Sequence, residues 1–188
     1  AMKRGILFKV CKTRKELSSW IDLFLEIQLP DCVVDPESNS TPIDLLWEIY
    51  SKAVANDDED FRSILAYSCR SGFKTVSAAI LETLFLLHLK RDVIHLAALE
   101  DQSLKCKEYV QSYFAKPLLI ETQTIDNQKN IGIHRYEHNE TKEAITPVAW
   151  KALPYKEQIE YTEIINKIRI VKATIKSANG QHAPLLTI

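Results

Sequence analysis

The apolar positions of the chain change period several times, and each change marks an element. Between Glu16 and Leu29, Leu17, Trp20, Ile21, Phe24, Leu25 and Leu29 recur at three- and four-residue intervals, which predicts an amphipathic helix ended by Pro30. Asp35–Pro42 is a loop by composition. Thr41 followed by Pro42 is a cap with proline at the first helical position, predicting a helix over Ile43–Val54. Asn56–Asp60 reads as an acidic, solvated loop and Ile64–Tyr67 as a short strand. From Val76 to Leu89 apolar residues fall on nearly every face, the pattern of a helix buried against a sheet. Lys90 and Arg91 follow where the helix dipole favours positive charge. Val93–Ala98 has the length and composition of a buried parallel strand, and Glu100–Phe114 returns to helical spacing through Leu104, Tyr109, Val110 and Phe114. Strand, helix, strand, helix predicts an α/β sheet with right-handed crossovers.

The pattern blurs over residues 120–150, which read as an insertion, although Ile131–Tyr136 alternates like a strand. Pro154–Lys167 predicts a polar helix carrying Ile159, Ile164 and Ile165. Ile168–Ile175 and Leu185–Ile188 predict two further strands around the turn Ser177–Gly180. Residues 1–41 form a helical lead-in, with Met2 as the natural start. At 188 residues and 46% hydrophobic composition, the chain has material for one domain with a core of its own.

A net charge of −1 supplies no whole-chain field for nucleic acid, so a DNA contact requires a local patch or a partner. Cys11, Cys32, Cys69 and Cys106 are widely spaced with no C-x-x-C, which argues against a zinc motif or a disulfide framework and predicts free thiols in a reducing compartment. No apolar run reaches the ~18 residues of a membrane span, and no secretory signal opens the chain, so a soluble intracellular protein without membrane contact is expected.

The candidate chemistry lies at Ser68-Cys69-Arg70-Ser71-Gly72-Phe73-Lys74-Thr75, between the expected strand ending at Tyr67 and the buried helix starting at Val76. A phosphate-binding loop belongs at such a junction. Its usual form is G-x-x-x-x-G-K-[ST], in which backbone N–H groups curl around phosphates, Lys reaches the β/γ oxygens and the hydroxyl faces Mg²⁺. Lys74 and Thr75 fit that form. Ser68 and Phe73 stand at the glycine positions, and Gly72 falls one residue early. The bland alternative is a Lys-Thr pair at a helix start, with Thr75 as a cap. The preceding strand and the following buried helix favour the phosphate reading, because a helix N-terminus is already an anion site.

Other candidates read as structural. His134 and His138 are four apart, a ligand spacing only on a helix, and their segment reads as strand or loop. His95 in an apolar run reads as a satisfied core histidine, Cys69 as a small loop residue, and Trp47 and Tyr50 as core.

The order of these features resembles the ATPase domain of the large terminase subunit, the motor that packages DNA into phage heads. The resemblance rests on the glycine-poor, Arg-containing loop Ser68–Thr75, the helix, strand and helix of Val76–Phe114, and the strand, small-residue turn and strand of Ile170–Ile188. It covers Pro42–Ile188. It implies an α/β fold of the P-loop NTPase type, a parallel sheet flanked by helices, in the additional-strand class. It also implies ATP and Mg²⁺ as cofactors, Lys74 on the β/γ-phosphates, Thr75 on Mg²⁺ and Arg70 on the γ-phosphate as an arginine in cis. The partners implied are double-stranded DNA, a portal, a small terminase subunit and further copies in a ring, in the cytoplasm of an infected cell.

The family's Asp-Glu pair, which holds Mg²⁺ and polarises the attacking water, follows the strand matched by Leu185–Ile188, and these 188 residues do not contain it. Its coupling motif and nuclease domain are absent as well. A single, incomplete ATPase domain that binds nucleotide and hydrolyses it poorly is therefore expected. A chain cut short, a gene interrupted at this motif, and a naturally short non-hydrolysing protein each account for the stop. A helicase-like P-loop fragment and a non-enzymatic binding module are the alternative readings.

Overall fold

The structure, a computed structural model, describes residues 5–33, 37, 40–55, 73–97, 100–127, 129–172 and 185–187. Helix α1 (Arg14–Trp20) begins at Thr13, whose hydroxyl accepts from the Glu16 N–H at 3.2 Å, while Glu16 accepts from the Lys12 N–H at 2.6 Å. It continues through a π-helical turn over Ile21–Leu25 and stops where Glu26 turns left-handed at φ 56°. That break comes earlier than the expected end at Leu29. Helix α2 (Pro42–Ala55) starts as the Thr41-Pro42 pair predicts. The Asp44 N–H donates to the Thr41 hydroxyl at 3.3 Å, and Asp44 accepts from the Thr41 N–H at 3.0 Å, a reciprocal cap.

Helix α3 (Lys74–Leu84) runs on as a π-helical turn over Phe85–Leu89 and ends at Lys90, left-handed at φ 57°. Strand β1 (Val93–Ala97) and helix α4 (Glu100–Phe114) follow. Then come β2 (Gln123–Asn127), β3 (Asn130–His138), β4 (Ala144–Ile145), the short helices α5 (Pro147–Lys151) and α6 (Tyr155–Gln158), β5 (Tyr161–Lys172) and β6 (Leu185–Thr187). The sheet order is β2-β3-β5-β1-β6, with β4 paired to β3. Strand β1 runs parallel to both neighbours, Val93 lying opposite Ile168 on one side and Leu185 on the other.

The sheet is mixed, not the parallel sheet expected, because β3 is antiparallel to β2, β4 and β5. A short polar turn makes the β2–β3 reversal: the Asn127 side-chain oxygen accepts from the N–H groups of Lys129 and Asn130 at 3.1 and 3.0 Å. Antiparallel strands need no crossover helix, which a parallel pair would. Gly132 on β3 allows β2 to close in, since a Cβ there would lie 3.0 Å from the Ile125 side chain. Residues 120–150, expected as an insertion, thus contain the antiparallel flank of the sheet.

The polar helix expected over Pro154–Lys167 does not form. Only Tyr155–Gln158 is helical, and from Tyr161 the chain is β5, paired with β3 from Tyr161 opposite His138 to Arg169 opposite Asn130. Thr162, Ile164, Ile165, Ile168 and Ile170 are β-branched, and the long ladder with β3 overrides the weak helical pattern.

Helix α3 is buried as its all-round apolar pattern predicts: Ala79, Ile80, Leu81 and Leu84–Leu87 join Val93 of β1 and Val110 and Phe114 of α4 in the core. A polar chain ties the N-terminal segment to this core. The Cys11 N–H donates to the Tyr50 oxygen at 2.9 Å, the Tyr50 hydroxyl meets His88 Nδ1 at 2.7 Å, and His88 Nε2 meets the Leu7 carbonyl at 3.2 Å. Tyr50 is fully buried in the core, and Trp47, half-buried with its ring 6.3 Å from that of Tyr50, packs against it. The acidic loop 56–60, the strand Ile64–Tyr67 and the turn Ser177–Gly180 lie outside the described residues.

Candidate functional site

Phe73 leads into α3 with φ 57° and ψ 11°, a left-handed conformation that costs a side-chain-bearing residue ~1–2 kcal/mol and that glycine adopts freely. The second glycine of a phosphate loop stands at this position. The Ser77 N–H donates to the Phe73 carbonyl at 2.8 Å and starts the helical ladder. Lys74 and Thr75 are then the first two helical residues, both exposed, with no acidic residue in the first turn and no side-chain cap from Phe73. First-turn N–H groups beside a lysine and a hydroxyl suit an anion. Ser68, Cys69, Arg70, Ser71 and Gly72 lie outside the described residues.

Three polar side chains meet beneath the same helix. Glu82 of α3, His95 of β1 and Cys106 of α4 are 1%, 7% and 1% exposed. His95 Nδ1 lies 2.6 Å from one Glu82 oxygen, and the Cys106 thiol donates to the other at 3.6 Å. The same sulfur lies 3.9 Å from the Thr75 carbonyl oxygen, which links the cluster to the first turn of α3. Burial, reinforced by the Glu82 carboxylate, pushes the Cys106 thiol far up from its ordinary value and keeps it protonated. His95 is a buried, hydrogen-bonded core histidine, as its apolar setting predicts. Glu82 went unread in the sequence and Cys106 was read only as a free thiol, although Glu82 is the one charged residue between Val76 and Leu89.

His134 and His138 sit on strand β3, where residues four apart are separated by ~13 Å, so they do not share a ligand geometry. His138 instead contacts Glu160 at 3.3 Å. Cys11, Cys32 and Cys106 are free thiols, as expected. A groove of about 690 Å³ is lined by residues between Ile6 and Leu23, Lys9, Lys12, Lys15 and Trp20 among them. Among the described residues no helix is long and apolar enough to cross a membrane. No family model matches the chain, and no curated protein or solved structure matches it either.

Proposed function

We propose that the chain is the ATP-binding part of a viral DNA-packaging motor of the large terminase kind. The observation that carries this reading is the left-handed backbone at Phe73, leading directly into a buried helix whose first residues are the exposed Lys74 and Thr75. A loop built for glycine at that point fits phosphate better than a plain helix start does. The parallel pairing of β1 with β6 supports it further, since the resemblance makes β6 the strand that leads to the Asp-Glu pair. ATP with Mg²⁺ occupies the loop, Lys74 contacts the β/γ-phosphates, Thr75 faces Mg²⁺, and Arg70 reaches the γ-phosphate. In the complete motor a ring of copies on a portal, fed by a small terminase subunit, drives double-stranded DNA into the capsid in the infected cell.

Calorimetry with ATP and Mg²⁺ tests this. Replacing one charge-assisted contact, Lys74→Ala, is expected to weaken binding by about tenfold to a hundredfold. No heat of binding for the wild type at high nucleotide, or equal affinity in the variant, overturns the proposal.

A non-enzymatic binding module is the second reading, and the side chain of Phe73 favours it, because a bulky residue in a glycine conformation keeps the strain without an evident nucleotide contact. Phe73→Gly separates the two. Relief of ~1–2 kcal/mol of left-handed strain against ~0.5–1 kcal/mol of added chain entropy leaves an expected gain of about 0.5 kcal/mol in stability. Nucleotide should bind at least as tightly. A urea midpoint that drops with this substitution shows that the phenyl ring is packed for a purpose of its own.

A further inference from the structure

We propose that Glu82, His95 and Cys106 form a buried site for one divalent metal ion, Zn²⁺ by donor type. The three side chains come from three elements, α3, β1 and α4, and their ligand atoms all lie within 4.8 Å of one another. A thiol, an imidazole and a carboxylate are the donors that Zn²⁺ takes in proteins, and thiolate with imidazole disfavours Mg²⁺ and Ca²⁺. In a tetrahedral site with bonds of ~2.0–2.3 Å the donors stand roughly 3.3–3.8 Å apart. The Cys106 sulfur lies 3.6 Å from one Glu82 oxygen and His95 Nδ1 2.6 Å from the other, so seating the ion needs the His95 contact to open, and the set, whose atoms lie within 4.8 Å of one another, to draw in, each by roughly 1 Å or less. The Thr75 carbonyl lies 3.9 Å from the sulfur.

The electrostatics of the cluster favour a cation. Among the described residues Glu82 pairs with no lysine or arginine, although its side chain is only 2% exposed. An imidazole and a thiol are weak compensation for a carboxylate taken out of water, and a metal ion repays that desolvation directly. Tyr113, seven residues beyond Cys106 on α4, is 3% exposed and its hydroxyl has no hydrogen-bond partner. On ligation the thiol gives up its proton to solvent, the sulfur becomes a thiolate, and neutral His95 coordinates through a ring nitrogen. The site does not depend on the nucleotide reading, since none of its three side chains belongs to the loop.

The bland account is a buried hydrogen-bonded cluster that holds α3 against β1 and α4. Titrating the full chain with Co²⁺ under reducing conditions distinguishes the two, because a thiolate ligand adds a near-ultraviolet charge-transfer band that a structural cluster cannot produce. One Co²⁺ per chain is expected, with the band displaced by Zn²⁺. The band should persist in the variant carrying Cys11→Ala, Cys32→Ser and Cys69→Ser, and vanish in Cys106→Ser; Glu82→Gln should weaken binding at least about tenfold. A wild type without the band overturns the site, as does a band that survives Cys106→Ser. If Cys106→Ser does not fold, the variant that keeps Cys106 alone decides: folded and lacking the band, it overturns the site, and with the band it confirms that sulfur as the ligand.

Discussion

Acidification from pH 7 to pH 4 is expected to remove several kcal/mol of stability, and His88 is the group responsible. Its ring is 4% exposed, hydrogen-bonded at Nδ1 by Tyr50 and at Nε2 to the Leu7 carbonyl, with the Trp20 ring edge-on at 4.8 Å. The tautomer that satisfies both contacts is neutral: Nε2–H donates to Leu7 and Nδ1 accepts from the Tyr50 hydroxyl. Burial lowers the pKa from 6.5 to about 3, the Leu7 carbonyl partly opposing and the charge of Arg135 adding to the effect. Between these values the unfolded chain carries a proton that the folded chain refuses. Stability is then fully present above about pH 6.5 and falls with the pH down to about pH 3. At ~1.4 kcal/mol per pH unit the loss across that window reaches about 5 kcal/mol, against a total of ~5–15 kcal/mol for a domain. Asp44 is held below 3.8 first by the Thr41 hydroxyl, and Asp31 first by Arg14, so their contributions are lost only at lower pH. Urea unfolding at pH 7, 5.5 and 4 measures the slope. His88→Gln keeps a donor and an acceptor without titrating, and it should flatten the profile; parallel slopes for the two proteins would show that another group is responsible.

The network around His88 also shows what the sequence could carry and what it could not. Helices α2 and α4 were legible from helical spacing and end signals, as with Thr41-Pro42 before α2, and α3 and strand β1 from apolar runs of the right length. The interior of β5 was not. Ile164 and Ile165 fit a helix as well as a strand, and only the partner strand β3, more than 20 residues away in sequence, decides between them. The mixed character of the sheet was hidden for the same reason, since pairing direction follows from which strands meet and not from the composition of either.

At the candidate loop, Lys74 and Thr75 stand at the start of α3, close to where the sequence put the helix start, whereas the left-handed backbone at Phe73 was not read, because a bulky residue stands there in place of glycine. Glu82, His95 and Cys106 are separated by 13 and 11 positions, with no C-x-x-C or H-x₃-H spacing to draw them together. The available signal was a lone carboxylate on a helix apolar on every face. A charge placed there must find a partner in the core, and the neighbouring strand supplied His95.

Arg135→Ala is expected to destabilise the fold by about 3–5 kcal/mol, through a cavity and two orphaned acceptors. The side chain is fully buried on β3. Its guanidinium donates to the Leu86 carbonyl at 2.7 Å and to the Asn166 side-chain oxygen at 2.5 Å, and stands 5.9 Å from the centre of the Phe8 ring. It thereby joins β3, β5 and the π-helical turn that ends α3. Among the described residues no carboxylate pairs with it, and its Nε has no partner. Burial lowers its pKa to about 10, which still leaves it charged at pH 7. Two effects therefore oppose each other at this position: the cost of holding a cation in the core, and the carbonyl and amide oxygens it satisfies. Arg135→Met isolates them, because it keeps most of the apolar stem while removing the charge and the donors. If the hydrogen bonds dominate, Arg135→Met loses about 1–3 kcal/mol, less than Arg135→Ala, as read from urea midpoints. A methionine variant more stable than the wild type would mean that desolvation dominates. The guanidinium would then be a net burden on folding, tolerated because it fixes how the turn after Leu84 meets the sheet.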